Sequence, residues 1–282
     1  MSPLPGPKVV ISGDAGTGKT HCLRTLVDAG VKPCVLFLDQ SQTILADLKE
    51  VAWHSLVARG PSWTAMADYA DKVNTMSMEG LAKIQDPARN EYSQAIEMFK
   101  TLSNFIDDRT GECLGEVDKW GPGRALCIDH LTITNYLFLG LVTGGRSIRS
   151  IPEWGVAMEQ QMMFLRNLCQ LQCSVVVLTH IAPEREESTG NILRYPLALG
   201  TKNAPQIPAL FDEALHSVRR GDEFFWSNVT TGMAVKKRIL PFSDKLLPTF
   251  VTVFDEWKAR GGVLSETLME DDNVVTLSKT KT

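Results

Sequence analysis

The stretch Gly13-Asp14-Ala15-Gly16-Thr17-Gly18-Lys19-Thr20-His21 follows the apolar run Val9-Val10-Ile11 almost directly. Residues 13–20 satisfy G-x-x-x-x-G-K-[ST], a spacing that has chemical meaning where a short strand ends and a helix begins. Glycine permits the backbone turns that aim successive N–H groups at one anion. The helix N-terminus adds its dipole, Lys19 supplies a mobile cation for the β- and γ-phosphates, and Thr20 offers an oxygen to Mg²⁺. The expected ligand of Gly13 to His21 is therefore ATP with Mg²⁺. A strand feeding a helix through such a loop also commits the chain to α/β architecture.

The rest of the pattern agrees. Strands are expected at Val9–Ile11, Cys34–Leu38, Ala125–Ile128 and Ser174–Leu178, alternating with longer helical patterns, as in a mostly parallel sheet. One helix is expected from about Lys19 to Ala29, closed by Gly30, and another from about Trp154 to Leu171. Residues 42–119 read as a mostly helical elaboration, too long for an ordinary crossover. The polar segment "PEREESTGNILRYPLALGTKNAPQIP" reads as a long functional or mobile loop. "ALHSVRR", "EFFWSNV" and "GMAVKKRIL" read as short strands of an antiparallel C-terminal extension. Residues 1–262 are taken as one domain and 263–282 as a flexible polar tail.

Composition restricts the partners. With 282 residues, a formal charge of −4 and 44% hydrophobic content, the chain can bury a large core but carries no global basic signature. Any nucleic-acid contact must come from local patches. The six cysteines form no C-x-x-C pair, so reduced buried thiols are expected rather than a zinc site. No apolar run approaches the ~18 residues of a membrane span and no secretory h-region opens the chain, so a cytoplasmic protein without membrane contact is expected.

Three further positions attach to the phosphate loop. Asp129 ends the run Ala125-Leu126-Cys127-Ile128, where a second Mg²⁺-directing acid belongs beside Thr20. This pair implies nucleotide and metal, since a kinase would carry it too. Thr179 and His180 end the next buried strand, on the edge where ligands sit in open α/β sheets, so His180 is a candidate contact for the γ-phosphate.

The order of these parts, continued by "VLFLDQS", "EWGVAMEQQMMFLRNLC" and "LALGTKNAPQIPALFDEAL", resembles the RecA-like P-loop ATPases carried by bacteriophages, including the single-domain Sak group of single-strand annealing recombinases. The resemblance spans about Val9 to Leu240. It implies a RecA-like core that hydrolyses ATP between subunits of a ring or filament and assembles on single-stranded DNA in recombination or annealing. A bacterial host cytoplasm and a phage or host single-strand-binding protein as partner go with it. Residues between His180 and Ala209 match the second DNA-binding loop, giving Arg194 and Lys202 as nucleic-acid contacts, and Gly140 to Glu153 match the first, giving Arg146 and Arg149. Trp154, Tyr195 and Trp120 are nearby aromatics that serve equally well as stacking platforms or core. Lys236 and Arg238 match cations that complete a neighbour's γ-phosphate site in trans, with a basic edge strand as the alternative.

One departure concerns hydrolysis itself. Where such ATPases place a water-orienting glutamate, this chain has Asp39-Gln40-Ser41. Asp39 stands one residue early, Gln40 can position water without acting as base, and His130 is a third candidate. A slow or DNA-stimulated ATPase follows. Two other readings stand beside it: a nucleotide-dependent loader, packaging or helicase-accessory protein acting through protein partners, and a small-molecule kinase using residues 40–119 as a lid.

Overall fold

A computed structural model describes residues 4–57, 61–81, 91–144, 150–185, 190–200 and 202–268. Its strands are β1 (Lys8–Ser12), β2 (Lys32–Phe37), β3 (Ala52–Ser55), β4 (Phe105–Ile106), β5 (Cys113–Gly115), β6 (Arg124–Asp129), β7 (Ser174–Thr179), β8 (Ile181–Arg185), β9 (Ile192–Pro196), β10 (Glu213–Arg220) and β11 (Glu223–Ser227). The α-helices are α1 (Lys19–Cys22), α2 (Thr25–Asp28), α3 (Trp63–Thr75), α4 (Met78–Leu81), α5 (Glu91–Ser103), α6 (Leu131–Thr143), α7 (Ile151–Gln170), α8 (Ile207–Leu210) and α9 (Phe250–Ala259).

Seven strands form the main sheet in the order β11-β10-β1-β7-β6-β2-β3. All neighbours pair in parallel except β10 and β11. The four strands expected from sequence are its centre, β1, β7, β6 and β2. They are buried on both faces, which is why they read as continuous apolar runs rather than alternating ones. One face is covered by α5, α6 and α7 through residues such as Met98, Phe138 and Leu165, and the other by α1, α2 and α9 through Cys22, Leu26, Phe254 and Trp257. The architecture is thus a three-layer α/β fold with a mostly parallel central sheet and an antiparallel strand on the C-terminal side. None of the helices among the described residues is long and apolar enough to cross a membrane.

The structure corrects several expectations. The helix expected over 19–29 is two short helices, because the chain between them tightens to i→i+3 bonds, Leu23 N–H to Thr20 O and Arg24 N–H to His21 O, each 3.2 Å. Gly30 closes it as expected, in the left-handed region at φ +78°. Within the supposedly helical 42–119 region lies β3, which extends the sheet by pairing with β2. At four residues its periodicity is too short to read. The segment after Leu178 is largely a β-hairpin, β8 with β9, rather than an open loop. β10 belongs to the main sheet, in parallel register with β1 from Val9↔Glu213 to Ser12↔His216.

"GMAVKKRIL" makes only isolated bridges, Arg194↔Met233 and Ala214↔Lys236. After Lys236 the N–H groups of Arg238, Ile239 and Leu240 turn to the buried Glu213 carboxylate instead of a strand carbonyl. A side-chain acceptor has outcompeted the ladder. The helix expected from Trp154 starts three residues earlier, at Ile151, where Ser150 N–H donates to Glu153 Oε2 at 2.7 Å as in a capping box.

Residues 265–267, expected in the polar tail, are docked, and 269–282 lie outside the described residues. Gly121 N–H donates to Glu266 O at 3.0 Å and Gly123 N–H to Ser265 O at 2.6 Å, docking residues 265–267 against the start of β6. Only glycine permits that approach, since a Cβ at Gly121 would lie 2.4 Å from Ser265 O. Among the cysteines, Cys22, Cys34, Cys127 and Cys173 are buried and free while Cys113 is exposed. Burial pushes the Cys34 thiol up to about 12 and the Cys173 thiol to about 11.

Trp257 anchors α9: it is 3% exposed and its indole donates to Pro5 O at 2.9 Å. Trp257→Ala should cost about 3–5 kcal/mol of stability, read as a lower midpoint in urea unfolding followed by circular dichroism.

Candidate active site

Strands β1, β7, β6 and β2 end on one edge of the sheet, and each contributes a polar residue just past its apolar run. The register Ser12↔Thr179, Leu178↔Asp129 and Asp129↔Phe37 brings these ends level. Since β7 lies between β1 and β6, the loop after β1 and the acid of β6 straddle Thr179 and His180.

The loop after β1 is built as the sequence requires. Gly16 and Gly18 have φ of +74° and +84°, the left-handed region that other residues avoid. Gly13 is demanded by space, because a Cβ there would lie 2.5 Å from Ser217 O. The loop is tied on both flanks: Gly13 N–H donates to Thr179 O at 3.2 Å, and the Ser217 hydroxyl donates to Thr17 O at 2.8 Å. Asp14, Ala15, Gly16 and His21 are exposed along its rim. Lys19 is buried, with its ammonium on the carbonyls of Gly13 (2.9 Å) and Asp14 (2.7 Å). Burial pushes its pKa below the ordinary value, against the pull of Asp129 and Asp14.

Across β7, Asp129 is 2% exposed, and its Oδ2 accepts from the hydroxyls of Thr20 and Ser41, both at 2.9 Å. The Ser41 hydroxyl also contacts Asp39 Oδ1, and Asp39 Oδ2 is 3.4 Å from His130 Nε2. His130 in turn meets His180 edge to face, ring centroids 4.7 Å apart. Burial, and then the neighbouring Asp39 charge, raise the Asp129 pKa, while His130 and then Ser41 hold Asp39 low. Burial and then Lys19 push the His180 pKa below its ordinary value.

This cluster is short of positive charge. Ser41 has one hydroxyl proton between two carboxylates, and both must otherwise face each other across it. Thr20, Ser41 and Asp129 offer only oxygen, which suits a hard divalent cation such as Mg²⁺. Among the described residues no group of three or more His, Cys, Asp or Glu forms a self-sufficient metal cage. The residues therefore fit a Mg²⁺ that takes its remaining ligands from phosphate and water. Such a cation would neutralise charge on the phosphates, which Lys19 and the loop N–H groups would bind.

The other candidates lie apart. Gln40 is exposed, and Asp39 is the residue of that pair whose carboxylate enters the cluster. Lys236 donates to the carbonyls of Ala209 and Phe211, and Arg238 pairs with Asp212 at 2.9 Å. Asp212 also accepts from Lys8 N–H, at the start of β1, so this pair sits at the opposite end of that strand from the phosphate loop. They do not complete the site of their own chain. Arg194 is exposed on β9, and Lys202 is exposed beyond it. Arg146 and Arg149 lie outside the described residues. Trp120 is core, 1% exposed with its indole on Leu114 O, whereas Trp154 is 39% exposed.

Sequence reasoning missed Ser41 and Ser217. Ser41 carried a faint signal, an i,i+2 hydroxyl after Asp39. Ser217 carried none, because its partner Thr17 is 200 residues away. It also left Gln161 unassigned. Its buried amide ties α7 to α6 through Thr134 and to the return of the hairpin through Leu199 N–H.

A family model described as an AAA domain matches residues 5–245. Among solved structures, a RadB recombinase is similar at 14% identity, with 86% of each chain covered and a TM-score of 0.36. The flagellar accessory protein FlaH from Methanocaldococcus jannaschii is similar at 9% identity, covering 86% of this chain and 84% of that one, with a TM-score of 0.34. No curated protein matches the sequence.

Asp129→Asn removes a buried negative charge that faces Asp39. The melting temperature of the nucleotide-free variant should rise while Mg²⁺-dependent nucleotide binding weakens; differential scanning fluorimetry with and without Mg²⁺ and nucleotide measures both.

Proposed function

The chain belongs to the AAA-domain family, and from that premise we propose that it is a RecA-like, Mg²⁺-dependent ATPase that assembles on single-stranded DNA. The observation that carries the nucleotide chemistry is the 2.9 Å bond from Thr20 to buried Asp129, closing a phosphate loop whose Lys19 lies inside it. Thr20 and Asp129 hold the cation, Lys19 and the N–H groups of the loop beyond Gly13, whose own N–H is taken by Thr179 O, hold phosphate, and Asp39 orients the attacking water. His180 faces the γ-phosphate.

The link to DNA is argued from connectivity. Hairpin β8–β9 begins at Ile181, directly after His180, and returns where Leu197 N–H donates to His180 O at 2.7 Å. A strand of DNA held by exposed Arg194 and Lys202, and by Arg146 and Arg149, thereby acts on a backbone hinge beside the phosphates. Lys236 and Arg238 act on a neighbouring subunit's γ-phosphate; Arg238 is suited to this by a side chain 63% exposed at the sheet's far end. The recombination or annealing setting, in a phage-infected bacterial cytoplasm with a single-strand-binding protein as partner, follows from the sequence resemblance.

A second reading, an accessory protein acting through protein partners, is favoured by the 42–119 region. None of the α3 residues is buried, and Trp63 and Met78 are 85% and 78% exposed. Apolar side chains so placed suit a protein surface.

ATP turnover measured with and without single-stranded DNA separates the two. Stimulation by DNA, with salt-dependent binding of a fluorescent oligonucleotide, is expected; turnover indifferent to DNA would favour the accessory reading. Lys19→Ala should abolish nucleotide binding. Arg238→Ala should lose turnover yet bind ATP, and mixing the two variants should restore part of the activity, as a trans contact requires.

A further inference from the structure

The acid at the end of β2 is an aspartate standing where a longer side chain is expected, and its reach is set by one neighbour. Asp39 Oδ2 lies 3.4 Å from His130 Nε2, and Ser41 holds the other oxygen. His130 is 12% exposed at its side chain, and its Nδ1 is buried with no hydrogen-bond partner among the described residues. A buried ring nitrogen left unpaired is destabilising. The ring is therefore fixed by something other than satisfaction of both nitrogens: its Nε2 faces the carboxylate, and its edge-to-face packing on His180 sets the tilt.

We propose that His130 is a positioning residue for hydrolysis, donating from Nε2 to the Asp39 carboxylate so that Asp39 presents its free lone pairs to the attacking water. The inference rests on the ATPase reading above and deepens it. In the step itself, the water oxygen forms a bond to the γ-phosphorus while the bond from that phosphorus to the β,γ-bridging oxygen breaks. ADP leaves with the electron pair of that bond, and the water proton passes to Asp39 or to a phosphate oxygen. His130 touches neither water nor phosphate. It restricts a short carboxylate that would otherwise turn about its single bond to Ser41, and the orientation gained is the kind of effect whose loss costs roughly 10- to 100-fold in rate.

A packing role and a positioning role are separated by two substitutions. His130→Phe keeps a ring against His180 and removes the donor; His130→Gln removes the ring and returns an N–H near the place of Nε2. The full-length protein with ATP and Mg²⁺ should lose about 10- to 100-fold in kcat in His130→Phe, with KM for ATP and binding of a fluorescent ADP analogue unchanged. His130→Gln should recover most of the rate. The double variant Asp39→Asn with His130→Phe should be no slower than Asp39→Asn alone, because both remove one unit. Full kcat in His130→Phe, or losses that multiply in the double variant, would overturn the proposal while leaving the ATPase reading intact. A wild-type protein that binds ADP through Lys19 yet turns over no ATP would instead overturn that reading, and this role with it.

Discussion

A carboxylate buried at the edge of a parallel sheet has to be compensated, and the surroundings of Asp129 are arranged by that need. Removing an ion from water costs several kcal/mol even after relaxation. The two hydroxyls that meet it come from different ends of the chain's topology, Thr20 from the phosphate loop and Ser41 from the turn after β2. They only partly answer its charge, since Asp39 stands opposite and raises the demand. What remains suits a divalent cation with phosphate attached, and such a ligand would stabilise the folded state by binding it.

Strand order turns that local need into a site. With β7 between β1 and β6, the glycine-rich loop and the buried Asp129 stand one strand apart, and the gap is occupied by Thr179 and His180. Thr179 binds the loop through its carbonyl, while His180 carries the hairpin β8–β9 and touches His130. A displacement of the hairpin base thus reaches the phosphate loop and the Asp39 cluster through two bonded neighbours. Gln161 stiffens the arrangement from behind, its amide satisfied by α6 and by the returning chain.

Legibility in the sequence followed the range of the interaction. The phosphate loop, Asp129 and the four central strands were readable because each is specified by contiguous residues: glycines for positive φ, apolar runs for strands buried on both faces. The β3 edge strand, hidden in a region of helical patterns, was not readable, nor was the parallel pairing of β10 with β1. An edge strand of four residues has no periodicity to detect, and parallel pairing depends on a crossover, not on the strand's own residues. "GMAVKKRIL" read as a strand from its alternation, yet the buried Glu213 carboxylate took its N–H groups. A competitor so far away in sequence leaves no local mark.

The sequence by itself determined that a phosphate-binding loop follows the first strand and that an acid ends a later one, because backbone conformation and burial act through neighbours in the chain. It did not determine which acid, hydroxyl and imidazole meet at the sheet edge. Asp39, Ser41, Asp129, His130 and His180 come from three strand ends, and only the order of those strands brings them into contact. The tertiary structure also removed Lys236 and Arg238 from their own chain's phosphates, since their backbone joins β10 at the end of the sheet away from the loop. Chemistry at single positions is written in residue types, whereas the charge balance of a site is a property of distances, and those exist only once the sheet has formed.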